Sequence, residues 1–143
     1  MFKVQVKRTR HRRIPKAPTG PSRVKVGFPA GTAPGDIMDI AIWNHFGTRT
    51  IPERPFLDNA MRDNRDKYRD AMRRSARKIL RGETSMSTVM QLLGNRAAAD
   101  ISNEIEELST PANAPSTIRQ KGSENPLVDS GRMRNSVTFK VDR

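Results

Sequence analysis

The 143-residue chain contains no cysteine, which excludes disulfide bonds, thiolate catalysis and cysteine-type zinc sites. It also has no apolar run that approaches the roughly 20 residues of a membrane-spanning helix. No apolar segment follows the basic residues of its N-terminus, so we expect no secretory signal and a protein made in the cytoplasm.

Large apolar residues are scarce as well. Leu, Ile, Val and Phe account for 28 of the 143 residues, while the formal net charge is +12. A share of about 20% with a high net charge lies at the boundary where chains stop folding alone. We expect one domain, and two explanations stay open: part of the chain is unfolded in isolation, or the chain completes its core against partners.

The positive charge is concentrated at the N-terminus. Residues 1–25 hold nine Lys or Arg residues and no acidic residue. We therefore separate a basic arm at residues 1–23, with a short strand predicted at 2–7, from a single domain at 24–143. Such an arm either contacts an anionic polymer, releasing its counterions, or is a solvated tail. The candidates for facing DNA or an acidic partner are Lys7, Arg8, Arg10, Arg12, Arg13 and Lys16.

Hydrophobic periodicity predicts an α+β fold. A small antiparallel sheet of N- and C-terminal strands should pack against a long two-helix antiparallel hairpin, with extended loops between the elements. The predicted elements are strands at 23–28 and 137–141, helices at about 55–81 and 87–108, a Pro-rich irregular loop at 109–129 and a helical turn at 130–135. Residues 37–46 fit a strand or a short helix, and we favour a helix that Asp36 caps and Gly47 ends.

The two long helices carry opposite charge. The first has an apolar stripe and a basic back, and the second is acidic, so their facing edges should attract. In the second helix, Gly94 either weakens the helix or allows close packing, and Ser85 or Ser87 can cap it. Its predicted buried face comprises Leu93, Ala97, Ile101, Ile105 and Leu108.

The sequence offers little for catalysis. Its two histidines, His11 and His45, have no further ligands at metal spacing, and no nucleophile stands in a pattern with a base. We therefore predict no enzyme, no cofactor and no metal site, and a packing or hydrogen-bonding role for His45. Trp43, Phe46 and Phe56 are either core residues, which we favour, or interface anchors.

Three stretches resemble a known family. They are VKVGFP (24–29), WNHFGTRTIPERPFL (43–57) and TPANAPSTIRQKGSENPLVDSGRMRNSV (110–137). Their order and spacing are similar to the tail-completion or neck proteins of long-tailed bacteriophages. The matching residues are Trp43, Asn44, Phe46, Gly47, Thr48, Ile51, Pro52, Arg54, Pro55, Phe56, Lys121, Gly122, Pro126, Leu127, Asp129, Gly131 and Ser136. His45 stands where the family usually has Glu, so a salt bridge between subunits there is in doubt.

The resemblance implies a structural virion protein that joins the head connector to the tail. Such proteins form rings, six- or twelve-fold, around the DNA channel, and assemble in the host cytoplasm with neighbouring connector and tail proteins. The subunit-contact candidates on this basis are Trp43, Phe46, Gly47, Pro52, Arg54, Pro55, Phe56, Pro126, Leu127, Asp129 and Gly131. A tail-terminator or head-closure ring subunit is an alternative, and a free-standing nucleic-acid-binding protein is another.

Overall fold

The computed structural model describes residues 5, 7 and 18–142. Within these residues, two strands flank six helices, which confirms the α+β class. The elements are β1 (Arg23–Gly27), α1 (Gly35–Phe46), α2 (Phe56–Asp63), α3 (Arg65–Leu80), α4 (Met86–Glu107), α5 (Pro115–Lys121), α6 (Arg132–Asn135) and β2 (Thr138–Asp142). No helix of this part of the chain is long and apolar enough to cross a membrane.

The two strands form an antiparallel pair, as their alternating patterns predict. Val26 lies opposite Phe139, and Lys25 lies opposite Lys140. Lys25 Nζ reaches Asp142 Oδ2 at 2.6 Å, and this hydrogen bond lowers the pKa of the Asp142 carboxyl. A two-stranded ribbon is not stable by itself. It is held here by packing against α4.

The core lies between α1, α2 and α4. Phe56 and Ile105 are fully buried at its centre, and Leu127 and Met133 close it from the C-terminal side. Four of the five residues predicted for the buried face of α4 are buried: Ala97, Ile101, Ile105 and Leu108. Leu93 is only partly buried.

The first of the two predicted long helices is divided into two helices in the structure. The single helix expected at 55–81 is interrupted at Asn64, which has φ −102° and ψ 4° and separates α2 from α3. The Asn64 side chain donates from Nδ2 to the Ala60 carbonyl at 3.0 Å and so competes for a helix acceptor. The hairpin partner of α4 therefore consists of α2, which reaches the core, and α3, which has no fully buried residue.

The loop predicted at 109–129 is not wholly irregular. It contains α5, which begins with Pro115 at a position where a helix needs no backbone donor and ends before Gly122. The seven residues of α5 are too few to display a clear period, so the sequence pattern does not predict this helix.

The other short elements agree with their predictions apart from one cap. Residues 37–46 are helical, and the turn predicted at 130–135 contains α6. Ser85 caps α4 by accepting from Thr88 N at 3.1 Å. Asp36 does not cap α1. Its carboxylate instead lies 3.0 Å from Arg132 Nη2 of α6.

Candidate interaction site

Helix α1 presents one face to the core and an apolar face to solvent. Ile37, Ala41 and His45 are buried. On the opposite side, Ile42, Trp43 and Phe46 have exposed fractions of 46%, 48% and 71%. We call these three residues the α1 aromatic patch. The prediction that Trp43, Phe46 and Phe56 are core residues is therefore confirmed for Phe56, which is fully buried, and wrong for Trp43 and Phe46.

His45 occupies the position that the aromatic residues were expected to fill. Its ring is buried and lies edge-on to Phe46 and Phe56, with ring centroids 4.6 and 5.4 Å away. Its Nε2 lies 3.7 Å from Asp58 Oδ2, and its Nδ1 has no hydrogen-bond partner among the described residues. The predicted packing role is confirmed. No group of three metal-ligating side chains comes together anywhere in the described ranges.

The chain turns sharply at the end of α1. Gly47 has φ +73°, a conformation that L side chains rarely adopt, and a methyl group there would lie 2.9 Å from Glu53 N. The Thr48 hydroxyl accepts from Ile51 N at 3.0 Å, and Arg54 N donates to Asn44 O at 2.8 Å. These bonds return residues 48–54 to the end of α1 that carries Phe46.

Arg54 is the polar centre of this region. Its side chain is 2% exposed and donates four hydrogen bonds to uncharged oxygens. The acceptors are Pro111 O at 2.7 Å, Asn44 Oδ1 at 2.9 Å, Asn113 Oδ1 at 3.1 Å and Ala112 O at 3.2 Å. Burial lowers the pKa of the guanidinium. We call this arrangement the Arg54 clasp. It joins α1, the loop after it and residues 111–113.

A second polar centre holds the segment before α6. Asn125 Oδ1 accepts from Leu127 N and Val128 N, each at 2.9 Å, while Asn125 Nδ2 donates to Glu106 O. Lys121 Nζ donates to the carbonyls of Asn125 and Pro126, and burial lowers the pKa of its ammonium group. Asn125 and Asn113 are not among the residues predicted from the sequence to be functional. Asparagine in a Pro-rich loop was the available signal, because its side chain commonly bonds backbone two residues away.

The contact candidates fall into three groups in the single chain. Trp43, Phe46, Pro52 and Asp129 are exposed; Gly47, Pro55 and Gly131 are partly buried; Arg54, Phe56, Pro126 and Leu127 are buried. The buried group cannot present side chains at the surface of this conformation. Those four residues shape the exposed segments from inside.

Only one of the six basic candidates of the arm lies within the residues that the structure describes. Lys7 is exposed, whereas Arg8, Arg10, Arg12, Arg13 and Lys16 lie outside the described residues, as does most of the strand predicted at 2–7.

The predicted charge attraction within the hairpin does not take the form of ion pairs. Among the residues described, no salt bridge joins α2 or α3 to α4. Arg69 and Arg73 pair with acids on α3, and Arg96 pairs with Asp100 on α4. The polar links across the hairpin are Tyr68 Oη to Asp100 Oδ2 at 2.8 Å and Asn59 Nδ2 to Glu104 Oε1 at 3.0 Å. Five basic side chains of α3 therefore have no carboxylate within 4 Å in these ranges: Arg65, Lys67, Arg74, Arg77 and Lys78.

Scans against protein-family models, curated proteins and solved structures give no match. The family resemblance thus rests on the residues of the three stretches alone.

Proposed function

We propose that the chain is a structural subunit of a bacteriophage neck or tail-completion complex and that it acts by assembling into a ring. The observation that carries the proposal is the α1 aromatic patch, which lies within the stretch 43–57 that resembles this family. Aromatic residues dominate the energy of protein interfaces, and a contiguous exposed apolar patch marks a contact surface.

The Arg54 clasp supports the same proposal. A surface that is already rigid loses less conformational entropy when it binds, so more of its contact energy appears as affinity. Arg54 fixes the loop that follows Phe46 through four hydrogen bonds. The clasp therefore prepares the α1 aromatic patch for contact without contributing exposed surface of its own.

The resemblance supplies the setting of the proposal. The ring would be six- or twelve-fold, would lie in the virion between the head connector and the tail, and would surround the DNA channel. Its partners would be further copies of the chain and the neighbouring connector and tail proteins. The protein would act without catalysis or a cofactor. A tail-terminator or head-closure ring would use the same surface.

Removing the α1 aromatic patch is the direct test. We expect Trp43→Ala/Phe46→Ala to shift the chain from ring to monomer, because truncation of two interface anchors costs about 2 kcal/mol or more each. Light scattering coupled to size-exclusion chromatography gives the mass, and negative-stain microscopy shows whether rings form. The double variant should unfold at the same denaturant concentration as a wild-type monomer, because both side chains are exposed.

Leu80→Ala is the matched control, since Leu80 is also a large exposed apolar residue, with 53% of it accessible, but it lies on α3. We expect this variant to assemble like the wild type. A wild-type chain that remains monomeric at high concentration, and that joins neither purified heads nor tails, would contradict the proposal.

Nucleic-acid binding is the second candidate. The basic arm favours it, as do the basic side chains of α3 that have no carboxylate within 4 Å in the described ranges. If it holds, the logarithm of the affinity for duplex DNA should fall linearly with the logarithm of the salt concentration, with a slope of about −0.9 for each phosphate neutralised. We expect deletion of residues 1–23 to reduce this slope. Fluorescence anisotropy at several salt concentrations measures it, and an unchanged slope would remove the arm from the binding site.

A further inference from the structure

With one exception, the large exposed apolar residues in the described part of the chain form two clusters. One is on α1 and comprises Ile40 and the α1 aromatic patch; the other is on the hairpin and comprises Met72 and Leu92, while Leu80, the last residue of α3, does not line the groove described next and belongs to neither cluster. The two clusters share no residue, and α1 packs on α6 whereas α3 packs on α2 and α4. Head-to-tail assembly into a ring requires two different interaction surfaces on each subunit, because each contact joins unlike surfaces. Two separate exposed apolar clusters meet this requirement.

The second cluster borders a groove of about 490 Å³ between α3 and α4. Its apolar lining comes from Ala71, Met72, Val89, Leu92 and Leu93. We call it the α3–α4 groove. The apolar stripe of α3 faces α4 as the sequence predicts, yet Tyr68, Ala71 and Ser75 remain only partly buried. Among the residues that the structure describes, no third element covers this side of the hairpin.

Charge selects what can fill the groove. Four basic residues line it, namely Lys67, Arg74, Lys78 and Arg96, and the first three have no carboxylate within 4 Å in the described ranges. An apolar segment that carries an acid fits such a site better than a neutral or basic one. The basic arm of the chain itself has the wrong sign.

Helix α1 has the complementary character. Asp39 is exposed and lies on the same face as Ile42, Trp43 and Phe46, at spacings of three, four and seven residues. This is the pattern by which a helix presents its anchors to a groove. Asp39 has no salt-bridge partner among the described residues, so its charge is available to another molecule.

We propose that the α1 aromatic patch of one copy docks in the α3–α4 groove of the next copy, with Asp39 facing the basic rim. The inference rests on the proposed ring function and names the two surfaces that meet in it. Burial of the aromatic side chains supplies the affinity, and Asp39 sets the direction of the contact.

The absence of cysteine makes the contact directly testable. We mix equal amounts of Phe46→Cys and Leu92→Cys chains, each with one cysteine, and oxidise them with copper phenanthroline. The expected product is a disulfide-linked mixed dimer, visible on a non-reducing gel and identified by mass spectrometry. Phe46→Cys mixed with Arg119→Cys, an exposed position on α5, should give no such product. Efficient linkage of Phe46→Cys to itself would show a symmetric contact and overturn the proposal.

A charge exchange provides an independent test. Arg74→Glu/Lys78→Glu should weaken self-association about tenfold, as measured by sedimentation equilibrium. The matched control Arg65→Glu/Arg77→Glu has the same net charge on the same helix away from the groove, and we expect it to associate like the wild type. Adding Asp39→Lys to the groove variant should restore association, which general destabilisation cannot do.

The outcomes separate this proposal from the ring function itself. If the wild type assembles but neither the mixed cross-link nor the charge exchange has the expected effect, the groove assignment is wrong and the ring function stands. If duplex DNA occupies the groove, the same variants weaken DNA binding and leave assembly intact, which also overturns the assignment. A chain that never assembles contradicts both.

Discussion

Replacing Arg54 with Met is expected to lower the free energy of unfolding by about 3 kcal/mol. Met keeps most of the apolar stem but donates no hydrogen bond, so four oxygens on Asn44 and residues 111–113 lose their donor. An unpaired acceptor costs about 1–3 kcal/mol where it is buried, but two of the four oxygens belong to the exposed residues Pro111 and Ala112. The total is smaller than four such costs because removal of a buried charge recovers its desolvation penalty, and the loop carbonyls can turn towards water.

Urea denaturation measures this loss, and the thermal midpoint should fall by roughly 6–12 °C in a chain of this size. Arg49→Met is the control, because Arg49 is exposed in the same loop, and its replacement should change stability by less than about 0.5 kcal/mol. The stability of Arg54→Lys should lie between those of the two Met variants. An ammonium group lacks the planar, forked set of donors with which the guanidinium reaches all four oxygens. Equal stability of the Arg54→Met and Arg49→Met variants would mean that the clasp contributes nothing.

The parts of the fold that follow local periodicity were predictable. The strands β1 and β2 alternate in the sequence, and the buried face of α4 recurs at helical spacing from Ala97 to Leu108. A period of two or 3.6 reflects which side of an element meets the core. Local patterns thus sufficed for the class of the fold and for the hairpin.

The interruption at Asn64 could not be predicted in this way. Asn64 falls at the correct spacing to continue the apolar stripe between Met61 and Tyr68, so the pattern favours one long helix. At the interruption the side chain and the backbone N–H of Asn64 both donate to the Ala60 carbonyl, and periodicity carries no information about such a side-chain bond.

The face of α1 depends on its neighbours. Ile37, Ile40, Ala41 and Asn44 recur at helical spacing in the sequence, whereas in the structure the buried face of α1 is Ile37, Ala41 and His45, and Ile40 is 39% exposed. Trp43 and Phe46 are more apolar than His45, which lies between them in the sequence. Hydropathy alone therefore favours burial of the aromatic residues and exposure of His45. The buried His45 ring packs edge-on against Phe56, a contact that the residue pattern of α1 does not reveal.

The Arg54 clasp could not be predicted from the sequence, for a different reason. Glu53 and Asp58 are the acids near Arg54 in the sequence, yet the guanidinium binds uncharged oxygens. Three of these oxygens lie on residues 111–113, which are 57 or more positions away along the chain. Two of them are backbone carbonyls, which every residue has. The motif IPERP therefore indicates that Arg54 matters, whereas only the fold indicates what it binds.

Replacing Gly94 with Val is expected to destabilise the chain by about 3 kcal/mol, at the upper end of the range for overpacking. Gly94 lies in the middle of α4 directly beneath Phe139 of β2, and an added Cβ would overlap the ring atoms Cγ, Cδ2 and Cε2. Because Cγ is the root of the ring, relief requires a new rotamer or movement of β2. The structure thus favours close packing over helix weakening as the explanation of this glycine.

Gly94→Ala should cost less, about 1–2 kcal/mol. Helix propensity favours Ala over Gly by roughly 1 kcal/mol, and overlap with the ring exceeds this gain. Gly35→Ala provides the comparison, because nothing lies within 4 Å of a methyl group at Gly35 and its backbone is not left-handed. We expect no loss of stability there.

A double-mutant cycle identifies the ring as the cause. Phe139→Ala removes the obstacle, so Gly94→Ala in that background should no longer destabilise, with a coupling energy of about 1–2 kcal/mol between the two positions. Urea denaturation of the four proteins measures this coupling. If Gly94→Ala costs the same with and without the ring, close packing of α4 on β2 is not what requires a glycine. If the coupling is found, the sheet is held to the hairpin by a contact that no larger residue at position 94 permits.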